Sequence, residues 1–175
     1  MIREAKSLVG AKVLEFDSGD LLALLDLPIV NPDTGVLEAF WVRPMNLPVS
    51  HAVVQVADIL EFKKNIYIRS ENVMADPADV IRLNEILSEG RDFLNARVMN
   101  ESGKYYGKLV DLSFDTETYM LKQIDVRKTF LFFAYDRRIF AWGRILRVLP
   151  EKIIIDDRTE QKEAIITDAT EPAAG

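Results

Sequence analysis

The sequence predicts a mainly β protein in which two small barrel-like units follow one another and are joined by one short α-helix. Three observations predict this fold class. Short apolar runs alternate with turn signals, a single segment has helical periodicity, and the strand pattern begins again after that segment. The 175 residues, of which 49% are hydrophobic and 29% charged, are enough to bury a core.

The first unit is predicted to span residues 1–75 and to contain about six short strands. Turn residues such as Asp17-Ser18-Gly19 and the run from Asn31 to Gly35 separate the apolar runs, because Gly and Asn accept the backbone angles that tight turns need. The predicted strands are 12–16, 21–27, 36–42, 53–56, 59–62 and 66–68.

A linker over residues 76–92 carries the one predicted helix, which runs from about Asp76 to Glu89. Asp76 can cap the helix, Pro77 suits its first position, and Gly90 lies where helices often end in a left-handed residue. Apolar residues recur at helical spacing and form a stripe predicted to pack against one or both barrels; its members are Val80, Leu83 and Leu87.

The second unit is predicted over residues 93–158 because the strand pattern repeats in the same order. The matched pairs are Val13 with Val98, Gly19 with Gly103, Asp26 with Asp111, Val42 with Val126, Ile59 with Ile145, and 66–68 with 153–155. Their separation drifts only from 84 to 87 residues, which strand spacing alone seldom produces. Residues 159–175 are small and polar and are predicted to be a disordered tail.

The segment 96–115, with Gly103, Gly107-Lys108 and Asp111, resembles the opening of a PRC-barrel domain, and 142–155 is similar to its closing element. The first half resembles the same pattern more weakly, with Ala23-Leu24 where Gly107-Lys108 stands. The resemblance implies two PRC-type barrels in tandem, each a strongly bent β-barrel used for docking. Relatives include the cytoplasmic domain of the photosynthetic reaction-centre H subunit and the C-terminal domain of a ribosome maturation factor. The family shares no catalytic residue.

Charge and composition narrow the partner classes. The net charge of −6 disfavours RNA, whose phosphates require compensating Lys and Arg. The charge is uneven, because residues 1–92 carry 9 basic and 15 acidic side chains whereas residues 93–158 carry 12 and 9. The chain has no cysteine, no signal-type apolar stretch and no run of about 20 apolar residues, so a cytoplasmic protein without a transmembrane segment is expected.

No catalytic, cofactor or metal site is expected. His51 has no cysteine or second histidine with which to share a metal. The stretch 103–109 differs from a phosphate-binding loop in its glycine spacing and in having Leu109 where a hydroxyl should hold magnesium. Structural roles are expected for Asp26, Asp111, Gly103 and Gly107.

The candidate interaction surface lies around residues 130–135, which are predicted to form a strand with two apolar faces framed by cations. Its residues are Phe130, Phe132, Phe133, Arg137, Arg138 and Arg144. We expect one face of this strand to be covered by the helix or the sister barrel of the same chain, by a partner protein, or by a second copy in a homo-oligomer. The expected function is that of a non-catalytic protein–protein interaction or assembly adaptor. The alternatives are a ribosome-maturation or RNA-associated factor and, third, a small-ligand carrier or enzyme.

Overall fold

The structure is a computed structural model that describes residues 1–130 and 133–156. Its helices and strands are, in chain order, β1 (Ile2–Glu4), α1 (Ala5–Leu8), β2 (Lys12–Glu15), β3 (Leu21–Val30), β4 (Leu37–Pro44), β5 (Ala52–Gln55), β6 (Ile59–Phe62), β7 (Ile66–Ile68), α2 (Ile81–Ser88), β8 (Arg97–Asn100), β9 (Tyr105–Asp115), β10 (Leu121–Phe130), β11 (Phe133–Ala141), β12 (Ile145–Leu149) and β13 (Lys152–Ile155). The mainly β fold class predicted from the sequence is confirmed.

Two sheets repeat one topology. The first has the strand order β5-β4-β3-β2-β7-β6, and the second has β11-β10-β9-β8-β13-β12. In both sheets the first and last strands of the unit pair in parallel, β2 with β7 and β8 with β13, and the other neighbours within each unit are antiparallel. A single-turn 3₁₀ helix precedes β6 in one unit and β12 in the other. The repeated strand pattern in the sequence therefore corresponds to a repeated structure.

The two units meet at the tips of equivalent turns. Val36 and Met120 form an isolated antiparallel bridge between the units. The backbone N–H of Leu37 donates to the carbonyl of Tyr119 at 2.7 Å, and the N–H of Leu121 donates to the carbonyl of Gly35 at 2.8 Å. Because the two halves of this contact are equivalent by the repeat, the junction resembles the self-complementary interface of a two-fold dimer.

One hydrophobic core extends through both units. Its largest cluster of buried residues draws on β2 to β5 and β7 of the first unit and on β8 to β13 of the second. Phe40 and Phe114 meet within it, with ring centroids 5.8 Å apart. The units are therefore bound by shared burial as well as by backbone hydrogen bonds.

The amino-terminal segment crosses to the second unit, which the sequence did not predict. β1 pairs antiparallel with β9, and Arg3 lies opposite Phe114. α1 follows directly and buries Ala5 and Leu8. Residues 2–4 therefore belong to the second sheet.

The linker helix is shorter than its predicted span. Asp76 accepts a hydrogen bond from the N–H of Ala78 and so caps a 3₁₀ turn over Pro77–Asp79, not the α-helix itself. Val80 then takes extended angles, so that α2 begins only at Ile81. Gly90 has φ of +61°, as predicted for a residue that ends a helix.

The apolar stripe of the helix packs on the first sheet. Leu83 is 1% exposed and clusters with residues of β3, β4 and β5; these are Ile29, Ala39 and Val53. Val80 and Leu87 pack against the same cluster. Of the predicted alternatives, the stripe meets the first barrel.

The apolar run 130–135 does not form one strand. Phe130 ends β10, Phe133 begins β11, and the two residues face each other across the hairpin. The prediction of a continuous strand is wrong because Phe130 and Phe133 belong to two antiparallel strands, which alternation of side chains alone does not reveal. The predicted tail over 159–175 lies outside the described residues.

Candidate functional site

The most unusual surface of the protein is a line of five basic side chains across the second sheet, which we call the cationic row. Consecutive members face each other directly on neighbouring strands, β13 to β8, β8 to β9, β9 to β10 and β10 to β11. The members are Lys152, Arg97, Lys108, Arg127 and Arg137, and all five are exposed. Neighbouring strands lie about 4.8 Å apart, so the row spans about 19 Å.

Alternation along each strand explains why the row faces outward. The residues next to its members are Val98, Leu109, Val126 and Ile153, which are fully buried at 0% exposure. Because successive side chains point to opposite faces of a sheet, burial of these residues directs their basic neighbours to the outer face. The core of the barrel thus positions the row.

The row is poorly neutralised. Asp125 lies between Arg127 and Arg137, and its Oδ2 accepts hydrogen bonds from both, at 3.1 and 3.0 Å. Arg97 stacks over the Tyr105 ring, with 5.3 Å between the guanidinium carbon and the ring centroid. Lys108 lies at the centre of the row, on β9. Among residues 1–130 and 133–156, no carboxylate forms an ion pair with it. Like charges directly opposite on neighbouring strands are destabilising, so this arrangement has a cost to the fold.

The equivalent line in the first unit carries two cations instead of five. The corresponding residues are Asn65, Lys12, Leu24, Arg43 and His51. Asn65 Oδ1 accepts a hydrogen bond from the backbone of Lys12 at 3.3 Å. His51 is exposed and its ring contacts the Ser50 hydroxyl at 3.3 Å. A row of five cations is therefore a property of the second unit alone.

A second group of cations surrounds two aromatic rings on the opposite face of β11. The rings of Tyr106 and Phe140 meet edge to face at 5.4 Å. Lys104 Nζ and the Arg138 guanidinium lie 5.0 and 5.2 Å from the centre of the Tyr106 ring, and Arg144 lies 5.4 Å from that of Phe140. The first unit has Leu22, Ala52 and Val54 at the positions of Tyr106, Arg138 and Phe140, so both faces of this part of the second unit are more basic.

The predicted arginines occupy different environments. Arg137 belongs to the cationic row and is 55% exposed in its side chain. Arg138 points to the other face of β11, where its Nε donates to Asp136 Oδ2 at 3.1 Å. Arg144 lies in the 3₁₀ turn before β12 and donates two hydrogen bonds to the carbonyl of Asp156, at 2.9 and 2.6 Å. The structure therefore divides the predicted arginines among three environments.

The predicted phenylalanines are placed only in part. Phe130 and Phe133 are paired in the backbone at the end of the β10–β11 hairpin. Phe132 lies outside the described residues.

Gly107 and Gly103 differ in what requires a glycine. Gly107 has φ of +137°, and a Cβ added there would lie 2.5 Å from the backbone oxygen of Arg127. Gly103 has φ of +87° and open space around it, so only its turn conformation favours glycine. Ala23 occupies the position of Gly107 in the first unit, where it lies opposite Val13.

The predicted match of Asp26 with Asp111 is wrong by one residue. The strand pairs have the same register on both sides of the repeat, with Leu25 opposite Val42 and Leu109 opposite Val126. The shift here is therefore 84 residues, which aligns Asp26 with Val110. Asp111 Oδ1 accepts hydrogen bonds from the backbone of Lys6 at 3.1 Å and of Leu112 at 2.8 Å, whereas Asp26 only approaches Arg43 at 4.0 Å.

Four members of the row were not among the candidate interaction residues, namely Arg97, Lys108, Arg127 and Lys152. Each follows or precedes a buried β-branched or apolar residue in its strand, but so do many surface residues. Alignment of the predicted strands by the repeat was the one signal that could have found them, because it assigns residues to common cross-strand positions.

Two clefts border α2, away from the row. A groove of about 510 Å³ separates α2 from the turn at Asn31, and a smaller cavity of about 270 Å³ lies beneath α2. At the groove, Arg91 donates to both carboxylate oxygens of Asp33, at 2.6 and 2.8 Å. This hydrogen bond lowers the pKa of Asp33 below its ordinary value and raises the pKa of Arg91. The Asp33–Arg91 ion pair thus forms part of the lining of the groove.

Within residues 1–130 and 133–156, no three acidic or histidine side chains converge as metal ligands would. No helix in the same part of the chain has the length and apolar character needed to cross a bilayer.

Comparison with known families addresses the second unit directly. The family model of the PRC-barrel domain matches residues 85–162. The chain carries a PRC-barrel domain. The matched segment begins within α2 and includes every strand of the second unit, and thus the whole cationic row. No second match to this family is found in the first unit, and no curated protein matches the chain.

Proposed function

We propose that the protein is a non-catalytic assembly adaptor whose PRC-barrel domain docks an acidic segment of a partner protein on the cationic row. The observation that carries this proposal is the placement of five exposed cations directly opposite one another on five neighbouring strands. An arrangement that opposes folding is present in one unit and absent from the equivalent line of the other, as expected where the charges serve binding.

The charge distribution favours a protein partner over nucleic acid. The chain as a whole carries −6, and the first 92 residues carry 15 acidic against 9 basic side chains. A phosphate backbone that extends beyond the row would meet this acidic surface, whereas a short acidic peptide segment fits within the 19 Å or so of the row. RNA is the alternative that the experiment below must eliminate.

The test is a fluorescence anisotropy titration with two labelled probes, a twelve-residue peptide of alternating glutamate and threonine and an oligouridine of equal length. The variant Arg97→Gln/Lys108→Gln removes two members of the row. Lys12→Gln is the matched control, because Lys12 occupies the position of Arg97 in the first unit.

Exposed ion pairs contribute about 0.2–1 kcal/mol each, so loss of two should weaken peptide binding roughly 2- to 30-fold. The Lys12→Gln control should bind as the unchanged protein does. Equal binding by the row variant would refute the proposal. Tighter binding of oligouridine than of the peptide would replace it with the RNA-associated alternative.

A further inference from the structure

The second sheet ends at β11, and the described part of the chain contains no strand on the outer side of it. The equivalent edge of the first unit is occupied. There, the N–H of Val53 donates to the carbonyl of Ala75 at 2.9 Å and the N–H of Ala75 donates back at 3.0 Å. The linker thus covers β5, whereas none of residues 1–130 and 133–156 covers β11, and an uncovered sheet edge is a template for an added strand.

The repeat identifies which backbone groups of β11 point outward. Val53 lies opposite Trp41, and Ile139 lies opposite Asp125, at the same place in the equivalent hairpin. Since the N–H and C=O of Val53 point away from its sheet, those of Ile139 do so too. The alternate residues Arg137 and Ala141 present their backbone groups in the same direction.

We propose that the acidic partner segment binds by adding a strand to β11 along Arg137–Ala141. This inference rests on the proposed function and specifies how the partner reaches the row. The added strand lies parallel to β11, at right angles to the row, and meets it at Arg137; the partner segment then continues across the outer face to the other members. Backbone hydrogen bonds to the edge would supply affinity, and side-chain charge would supply selectivity. A polypeptide can make such bonds and a nucleic acid cannot.

Charge complementarity identifies the occupant. A residue of the added strand that faces Arg137 on the outer side continues the cationic row to a sixth position, where a carboxylate would be favourable. A second copy of the chain would instead place a second row of five cations on the same continuous sheet, which is destabilising. The surface therefore fits an acidic, extended segment better than it fits self-association.

A backbone change that leaves the charges intact separates strand addition from simple charge attraction. Ile139→Pro removes the outward N–H, which an edge strand tolerates, and Ile139→Thr is the matched control that keeps it. The probe is the glutamate–threonine peptide. Strand addition predicts at least tenfold weaker binding to Ile139→Pro and binding within twofold of the unchanged protein for Ile139→Thr.

Amide hydrogen exchange of the unchanged protein provides the second measurement, independent of whether the proline variant folds. Peptide binding should slow exchange at Arg137 and Ile139. If exchange there is unaffected and Ile139→Pro binds normally while Arg97→Gln/Lys108→Gln does not, strand addition is wrong and docking on the row stands. If neither variant weakens binding, both proposals are wrong.

Discussion

Removing the central charge of the cationic row should make the protein more stable. Lys108 lies directly opposite two like charges, Arg97 on one side and Arg127 on the other. Each such pair costs about 0.2–1 kcal/mol, and two pairs cost about 0.4–2 kcal/mol. Because all three side chains are exposed, Lys108→Gln should recover an amount in the lower half of this range, about 0.5–1 kcal/mol.

Thermal unfolding followed by circular dichroism measures this gain. For a chain of this size about 1 kcal/mol shifts Tm by about 2–4 °C, so an increase of about 1–4 °C is expected at low salt. The gain should nearly vanish in 1 M NaCl, where the Debye length of about 3 Å is shorter than the spacing of the strands. Lys12→Gln, which removes a charge with Leu24 opposite, should give no gain. A loss of stability in Lys108→Gln at low salt, or a gain unchanged by salt, would refute the electrostatic reasoning.

Three further predictions concern the junction of the units. Gly35→Ala should destabilise the protein by about 1–3 kcal/mol more than Gly19→Ala in urea titrations. The Cβ of an alanine at position 35 would lie 2.4 Å from the Trp142 ring, whereas the space around Gly19 is open. Equal losses of stability in the two variants would contradict this contact. Asp33→Asn should flatten the pH dependence of stability below about pH 4. The pKa of Asp33 is lower in the folded protein than its ordinary value of 3.8, so its carboxylate stabilises the fold above pH 3.8 and this contribution is lost as the pH falls through the folded pKa. An unchanged acid-unfolding profile would argue against the ion pair. A shared core predicts one unfolding transition. The variant Trp142→Phe reports on Trp41 and the variant Trp41→Phe reports on Trp142, and in each the tryptophan fluorescence should change at the same urea concentration as the circular dichroism. Separated midpoints would indicate independent units.

Local patterns in the sequence were sufficient for most strands. The hairpin 59–62 and 66–68 has the predicted bounds, because its apolar runs flank an unambiguous turn. The repeat also transferred correctly, since both sheets have the same order. The prediction missed β1, whose formation depends on a tertiary contact. This strand has only three residues and forms through its pairing with β9.

The site was less predictable than the fold. The sequence drew attention to Arg137 and Arg138, which are adjacent in the chain and therefore point to opposite faces of the strand. The row joins residues from five strands that are up to 55 positions apart, from Arg97 to Lys152. Their alignment depends on the register, which includes shifts after Val98 in one pairing and after Asp125 in another. Composition indicated a basic second unit but not where its charge lies.

The most direct test of the docking surface is a nitrogen-15 NMR titration of the protein with the glutamate–threonine peptide. The account predicts that amide shifts concentrate on the strands of the cationic row, at Arg97, Lys108, Arg127 and Arg137, with Lys12 in the first unit unaffected. Shifts spread over both units, or concentrated at the groove beside α2, would contradict the claim that the PRC-barrel domain docks an acidic partner on this row.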